Sequence, residues 1–208
     1  MTKIIIAVVV VLVLWTAWGF FSSRVEQAEY AVLNKADGYE IREYPEHIVA
    51  QTTVQGAYSE ALNEGFSIVA GYIFGGNTKK ESIAMTAPVT DEKSTSQNIA
   101  MTAPVVAETV GEARVISFGM PRAYTLETLP TPIDPRVKIV TVPAKKYAVL
   151  TFSWWWSDKR VQDKQAALLF ALSRDGIEVV GSPAYAGYNA PWTPPWMTRN
   201  EVMVEIQS

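Results

Sequence analysis

Two stretches of the chain, 98 positions apart, carry the same punctuation. Ile41 falls on Ile139, Pro45 on Pro143, Ala50 on Ala148 and Thr53 on Thr151, while Ser59 and Glu60 fall on Ser157 and Asp158. In each stretch an alternating run, Tyr39–Tyr44 or Val137–Val142, is broken by the proline and resumes as Ile48–Val54 or Tyr147–Phe152. Alternation of apolar and polar residues marks a half-buried strand, so each stretch reads as a β-hairpin. A helix follows each one. Ser59 offers the first N-cap, and Leu62, Phe66, Val69 and Ile73 recur at helical spacing until Gly75–Gly76. Val161, Leu168, Leu169 and Leu172 do the same from about Asp158 to Ser173, with Gly176 as the stop. Break, cap and helix phase thus repeat together. They predict an α+β fold of two hairpin-plus-helix halves related by a pseudo-twofold axis, sharing one mixed or antiparallel sheet. The concave surface between such halves is a natural ligand site.

A shorter repeat is identical in every letter: Ile83–Val89 and Ile99–Val105 both read IAMTAPV. These segments and Arg114–Met120 read as strands, Thr90–Asn98 as a hairpin loop and Leu129–Pro135 as a connection. Each proline removes a ladder donor and places its segment at an edge or bulge. Met85 and Met101 then occupy equivalent places, either as core filler or as a soft wall for a flat apolar ligand.

Ile4 to Phe21 is apolar except for Thr16 and Gly19. At ~1.5 Å per residue, about 18 residues reach roughly 27 Å, close to the hydrocarbon thickness of a bilayer. The run is longer than a signal-peptide core, ends in Trp15, Trp18, Phe20 and Phe21, and is followed by no Ala-x-Ala site. Residues 1–24 therefore read as a transmembrane anchor or uncleaved signal, and residues 30–208 as the globular domain. Lys3 and the α-amino group precede the run, whereas Arg24 is soon offset by Glu26 and Glu29, which leans the domain toward the extracytoplasmic side.

The composition excludes several classes of function. Eighteen Lys and Arg against 21 Asp and Glu lack the basic surplus that a nucleic-acid binder needs. With no cysteine and one histidine, His47, there is no thiolate metal site, disulfide framework or cysteine nucleophile. Gly71–Thr78 has the outline of a phosphate loop, but Asn77 stands where the lysine belongs and the segment ends a helix instead of opening one. Neither a His-Glu-x-x-His nor a Gly-x-Ser-x-Gly motif occurs. Glu40, Glu43 and Glu46 fall close together as a solvated strand face. An enzyme is the unfavoured class.

Taken together, the paired IAMTAPV, YEIREYP at 39–45, GYIFGG at 71–76, AGYN at 186–189 and RNEV at 199–202 resemble the SOUL haem-binding protein family. The resemblance covers roughly Tyr30 to Ile206. It implies a distorted β-barrel-like α+β fold, with the internal duplication also found in bacterial drug-sensing effector domains. It further implies non-covalent binding of haem or a related tetrapyrrole in an apolar groove, for buffering, transport or sensing, without catalysis in the typical member. The pocket proposed in some members maps here to Asn63, Phe66, Ala70 and Gly71 on the first helix and to the loop from Tyr188 to Trp192. Asn63 and Gly71 stand where some relatives have basic residues, and Glu43 falls in the segment where some carry an axial histidine.

His47 is the remaining imidazole, either an exposed turn residue or an axial ligand or propionate neighbour. The candidate haem-binding set is thus His47, Asn63, Phe66, Ala70, Met85, Met101, Tyr188 and Trp192, with His47 as the metal ligand. The expected partners are haem or another tetrapyrrole and, through the N-terminal helix, a membrane; no nucleic acid is expected. Trp154–Trp156 would alternate faces on a strand and expose at least one ring. Trp192 and Trp196 lie in a stiff, proline-rich loop. These tryptophans leave open a different class, a module that recognises a protein or lipid partner at a membrane surface.

Overall fold

A computed structural model describes residues 1–22, 25–79, 96–190 and 192–207. Helix α1 (Thr2–Ser22) is followed by β1 (Glu26–Gln27), β2 (Ala31–Ala36), β3 (Tyr39–Tyr44), β4 (His47–Gln55) and α2 (Tyr58–Ile73). Then come β5 (Asn77–Thr78), β6 (Thr102–Ala103), β7 (Val105–Val110), β8 (Ala113–Gly119) and β9 (Thr131–Pro132). The chain finishes with β10 (Lys138–Val142), β11 (Lys145–Phe152), α3 (Asp158–Arg174), β12 (Val179–Gly187) and β13 (Asn200–Ile206).

The principal sheet has nine strands in the order β10-β4-β8-β7-β12-β13-β11-β3-β2, and its neighbouring strands run antiparallel. It does not close: β10 and β2 are its two edges, so the barrel-like expectation gives way to an open sheet. The two expected hairpins are also corrected. Instead of pairing with each other, β3 and β4 separate at Pro45, and β10 and β11 separate at Pro143. Each strand pairs instead with the other half. Ile139 lies opposite Ala50 in the β10–β4 pair, and Ile41 opposite Ala148 in the β11–β3 pair. These two pairs exchange under the 98-position shift, so the pseudo-twofold axis holds while the halves interlock through their strands.

Helices α2 and α3 cover one face of the sheet. α2 packs on β4 and β8, and α3 on β13, β11 and β12. The core between them holds Ala50, Val54, Leu62, Val69, Ile116, Phe118, Leu168 and Val204. α2 sits close because Gly65 has no side chain: a Cβ there would run into Ile116 of β8. Ser157 caps α3 as expected, accepting from the Arg160 N–H at 3.3 Å. The α2 cap is different. Its N-cap is Ala57, without a side-chain bond, and Ser59 lies inside the first turn. Gly75 ends α2 in the left-handed region at φ 107°.

Of the segments 83–89 and 99–105, the first lies outside the described residues, and the second forms β6, a cis Ala103–Pro104 bond and the start of β7. Trp154–Trp156 follow β11 without joining a strand, and Trp154 adopts φ 86°. The apolar N-terminal run folds as one helix of 21 residues, in which the side chains at positions 8, 12, 17 and 19–22 lie outside the described set. Among the described residues no helix is long and apolar enough to cross a membrane, so the expected transmembrane anchor is not supported.

Candidate functional site

Alternate residues of a strand point to opposite faces of its sheet. In β4, Ala50, Thr52 and Val54 are buried on the helix side, which sends His47, Val49 and Gln51 to the open face. The same parity places Val106 and Glu108 of β7, Val115 and Ser117 of β8, and Met203 and Glu205 of β13 on that face. The twisted sheet curves around them into a cavity of about 450 Å³, within the range of small-molecule sites. Residues 25–30 run alongside it, with Val25, Ala28 and Tyr30 packed against Tyr44, Tyr188 and Met203.

One end of this face is built around a buried carboxylate. Glu201, fully buried, accepts from Arg42 Nη1 at 2.9 Å, Arg199 Nη2 at 2.7 Å, Tyr188 Oη at 2.8 Å and Thr151 Oγ1 at 3.1 Å. The Arg42 guanidinium also stacks 4.3 Å from the Tyr30 ring, and that of Arg199 4.0 Å from the Tyr188 ring. Burial, with Glu201 beside it, pushes the Tyr188 hydroxyl well above the ordinary phenol range. These groups satisfy one another and hold the strands in register.

The middle of the cavity is less balanced. Tyr44 and Tyr147 meet edge to face at 5.6 Å. Tyr44 is buried, and its hydroxyl makes no hydrogen bond of standard geometry, although Arg42 is near enough to act on its titration. Burial, then Glu205 and Glu108, push the Tyr147 hydroxyl up to about 12. Lys145 Nζ pairs with Glu205 at 2.6 Å. Glu108 has neither an ion-pair nor a hydrogen-bond partner among the described residues, and desolvation raises its carboxyl above the ordinary value despite Lys145. At the rim, Arg122 pairs with Glu26 at 3.3 Å and with Glu29. His47 also stands there, its Nδ1 2.8 Å from the Pro45 carbonyl. A carbonyl only accepts, so Nδ1 donates this bond, and in the neutral imidazole that tautomer leaves the lone pair on Nε2.

The candidate residues read from the sequence do not converge. His47 lines the cavity. Asn63, Phe66 and Ala70 lie on α2, which packs on the opposite face of the sheet; Asn63 is exposed, Ala70 buried, and Phe66 38% exposed with its ring 5.3 Å from Phe118. Met101 packs against the helix-side core. Met85 lies outside the described residues. Tyr188 is on the open face, but its hydroxyl is engaged by Glu201. Trp192 is 59% exposed, and its carbonyl accepts from Trp15 Nε1 at 2.9 Å. Sequence reasoning passed over Glu108, Lys145, Tyr147 and Glu205. Their signal is parity: Glu108 shares a strand face with Val106, Glu205 with Met203, and Lys145 and Tyr147 with Val149, which puts these polar groups on the open face.

An open antiparallel sheet, with α2 and α3 on one face and a cavity of small-molecule size on the other, defines an α+β fold with one sheet face left open. The chain belongs to the SOUL haem-binding protein family, whose model matches residues 25–205. Among solved structures, it is similar to the EcmrR C-terminal domain, with TM-score 0.56 and 12% identity over 86% of this chain and 98% of that one. EcmrR in its complex with DNA gives TM-score 0.55 and 11% identity over 83% of this chain and 59% of that one. An uncharacterized conserved protein from Listeria innocua gives TM-score 0.52 and 12% identity over 81% and 92%. At these identities the likeness is one of fold. Comparison with curated proteins gives no significant match.

Proposed function

We propose that this chain is a binding module, not an enzyme, and that it holds a tetrapyrrole non-covalently in the cavity on the open face of its sheet. Membership of a haem-binding family supports the ligand class. The observation that carries the reading is at His47: the one imidazole of the chain stands on the rim of the cavity with Nε2 free to meet a metal. The apolar floor of Val49, Val106, Ala184 and Met203 suits a flat ring. At ~25 cal/mol per Å² of apolar area, burying several hundred Å² of ring offsets much of the cost of association without an iron bond. Were haem bound, Nε2 of His47 would hold its iron by donating the imidazole lone pair, and the iron would supply the Lewis-acid centre that accepts it.

The test is a hemin titration of the purified full chain, followed at the Soret band, with His47→Ala beside it. A saturable one-to-one shift that changes position in the variant is the expected result. A saturable shift that is identical in the variant removes His47 as ligand, and non-saturating broadening alone removes the tetrapyrrole reading.

One observation favours a second reading, docking on a lipid or protein surface. Trp15 of α1 meets the Trp196 ring edge-on at 5.5 Å, next to Trp192 and close in sequence to the exposed Trp18. Trp154 and Trp155 are also exposed, at 46% and 55%. Under this reading Trp155→Ala weakens binding to vesicles and leaves hemin uptake unchanged, and α1 holds the module at a membrane with the domain on the extracytoplasmic side.

A further inference from the structure

Four exposed tryptophans from two loops meet at one end of the molecule. Trp154 and Trp155 follow β11 with their rings 6.2 Å apart, and Trp192 and Trp196 lie in the proline-rich loop before β13. Trp154 joins the loops. Its N–H donates to the Pro195 carbonyl at 3.0 Å and to Thr198 Oγ1 at 2.9 Å, and its carbonyl accepts from Asn200 Nδ2 at 2.8 Å. These bonds hold it in the left-handed region at φ 86°, a costly conformation for a bulky residue, yet its ring faces water. The strain presents the ring and gains no burial. Helix α1 extends the same surface: Trp15 Nε1 donates to the Trp192 carbonyl, its ring meets that of Trp196, and Trp18 is exposed one turn further on. Ile4, Val9 and Leu14 point to three sides of α1, and all are exposed. A helix that is apolar all round has its place in apolar surroundings. Charge decides which surroundings. Residues 153–157 and 189–198 contain no Asp, Glu, Lys or Arg, so they offer nothing to a charged protein face. Beside them stands Arg160, whose Nη1 donates to the Trp155 carbonyl at 3.0 Å, while its neighbour Lys159 is paired with Asp163. A guanidinium complements a lipid phosphate, and tryptophan, an apolar body with one N–H, suits the headgroup layer.

We propose that this tryptophan surface docks on a lipid bilayer, with the rings of Trp155, Trp192 and Trp196 in the headgroup layer, Arg160 at the phosphates and α1 in the lipid beside them. The inference rests on the reading of the tryptophans as a docking surface and commits that surface to lipid. It also fixes how the domain stands. β12 and β7 pair at Gly187 and Val105, and Gly187 pairs in turn with Asn200, the residue bonded to Trp154. From Val105, β7 runs away from the tryptophans to the turn at Glu112, which therefore points away from the bilayer.

The chain has no cysteine, so a single one reports on its own position. Trp155→Cys and Trp192→Cys probe the surface; Glu112→Cys probes the far turn, and Phe170→Cys probes an exposed apolar position of α3 as a control for unspecific contact. Each full-length variant is labelled with nitrobenzoxadiazole, checked for folding by circular dichroism, and floated with vesicles of phosphatidylcholine and phosphatidylglycerol. The expected result is a blue-shifted, several-fold brighter emission at 155 and 192, quenched by lipids spin-labelled near the headgroup. At 112 and 170 the emission should stay as in buffer. Labels at 155 and 192 that stay water-like on a vesicle-bound chain overturn the inference and leave α1 as a bare tether. So does an equal shift at all four positions. A blue shift at 155 and 192 already present without vesicles, with the mass of two chains by light scattering, also overturns it; the docking reading then stands, with a second copy as the occupant. A chain that does not float with the vesicles overturns it outright and takes the lipid from that reading.

Discussion

Arg42 and Glu201, 159 positions apart in sequence, meet at 2.9 Å with their side chains almost fully out of water. Arg42 belongs to β3 and Glu201 to β13, and β11 lies between them, so the pair ties three strands at one end of the cavity floor. Removing one partner leaves a buried charge without its match, which costs far more than the pair contributes. Glu201→Ala, which strands both Arg42 and Arg199, should therefore destabilise the protein by about 3–5 kcal/mol, read from urea unfolding. Glu201→Gln keeps an acceptor for Tyr188 and Thr151 and should lose less. Equal losses would mean that the lost charge, common to both variants, carries the whole effect and that the retained acceptor contributes nothing.

The close approach of α2 to the sheet gives a second prediction. A Cβ added at Gly65 falls inside contact distance of Ile116 Cγ1 and Cβ, both in the core. Gly65→Ala should destabilise by about 1–3 kcal/mol through overpacking, despite the better helix propensity of alanine. Ile116→Ala in the same chain opens the space, so the double variant should fall short of the sum of the two single losses. Strict additivity would contradict the contact.

A third prediction concerns pH. The Tyr39 hydroxyl donates to Asp175 Oδ2 at 2.8 Å, tying β3 to the C-cap of α3. Arg174 first, and then Tyr39, hold the Asp175 carboxyl below the usual carboxylate range. A depressed folded value means that its contribution is present above the unfolded pKa and is lost as pH falls through the folded one. Tyr39→Phe should lower Tm at neutral pH, and its gap from the parent should narrow under acid. A gap that is constant across pH would show that the carboxylate is not involved.

The pseudo-twofold axis was legible because it rests on local marks, a proline break, a serine and the phase of a helix, which repeat in the sequence. Pairing was not legible. Tyr39–Tyr44 and His47–Gln55 alternate equally well as a hairpin or as strands that part at Pro45, and only their partner strands in the other half of the chain decide between the two. The cap at Ser59 failed for a related reason: α2 begins at Tyr58, two residues before the Glu60 start that a Ser59 cap implies, and the Tyr58 ring packs against Trp156 in the other half. In the site, His47 was visible as a lone imidazole. Phe66 and Asn63 came from resemblance alone, and the helix carrying them lies across the sheet from His47. Glu108 and Glu205 were visible only as ordinary charges until strand parity put them on one floor.

On the proposed reading the ligand sits on the open face of the sheet and not beside α2. Hemin affinity measured for the full chain, for Val106→Trp and for Phe66→Asp tests it most directly. Val106 is a half-buried cavity residue of β7, so a tryptophan there fills space a ring would occupy, whereas Phe66 lies on the helix side. Val106→Trp should weaken saturable binding by about tenfold or more, while Phe66→Asp, checked for folding, stays near the parent. Binding that survives Val106→Trp and disappears in a folded Phe66→Asp would contradict it and move the site to the helix side.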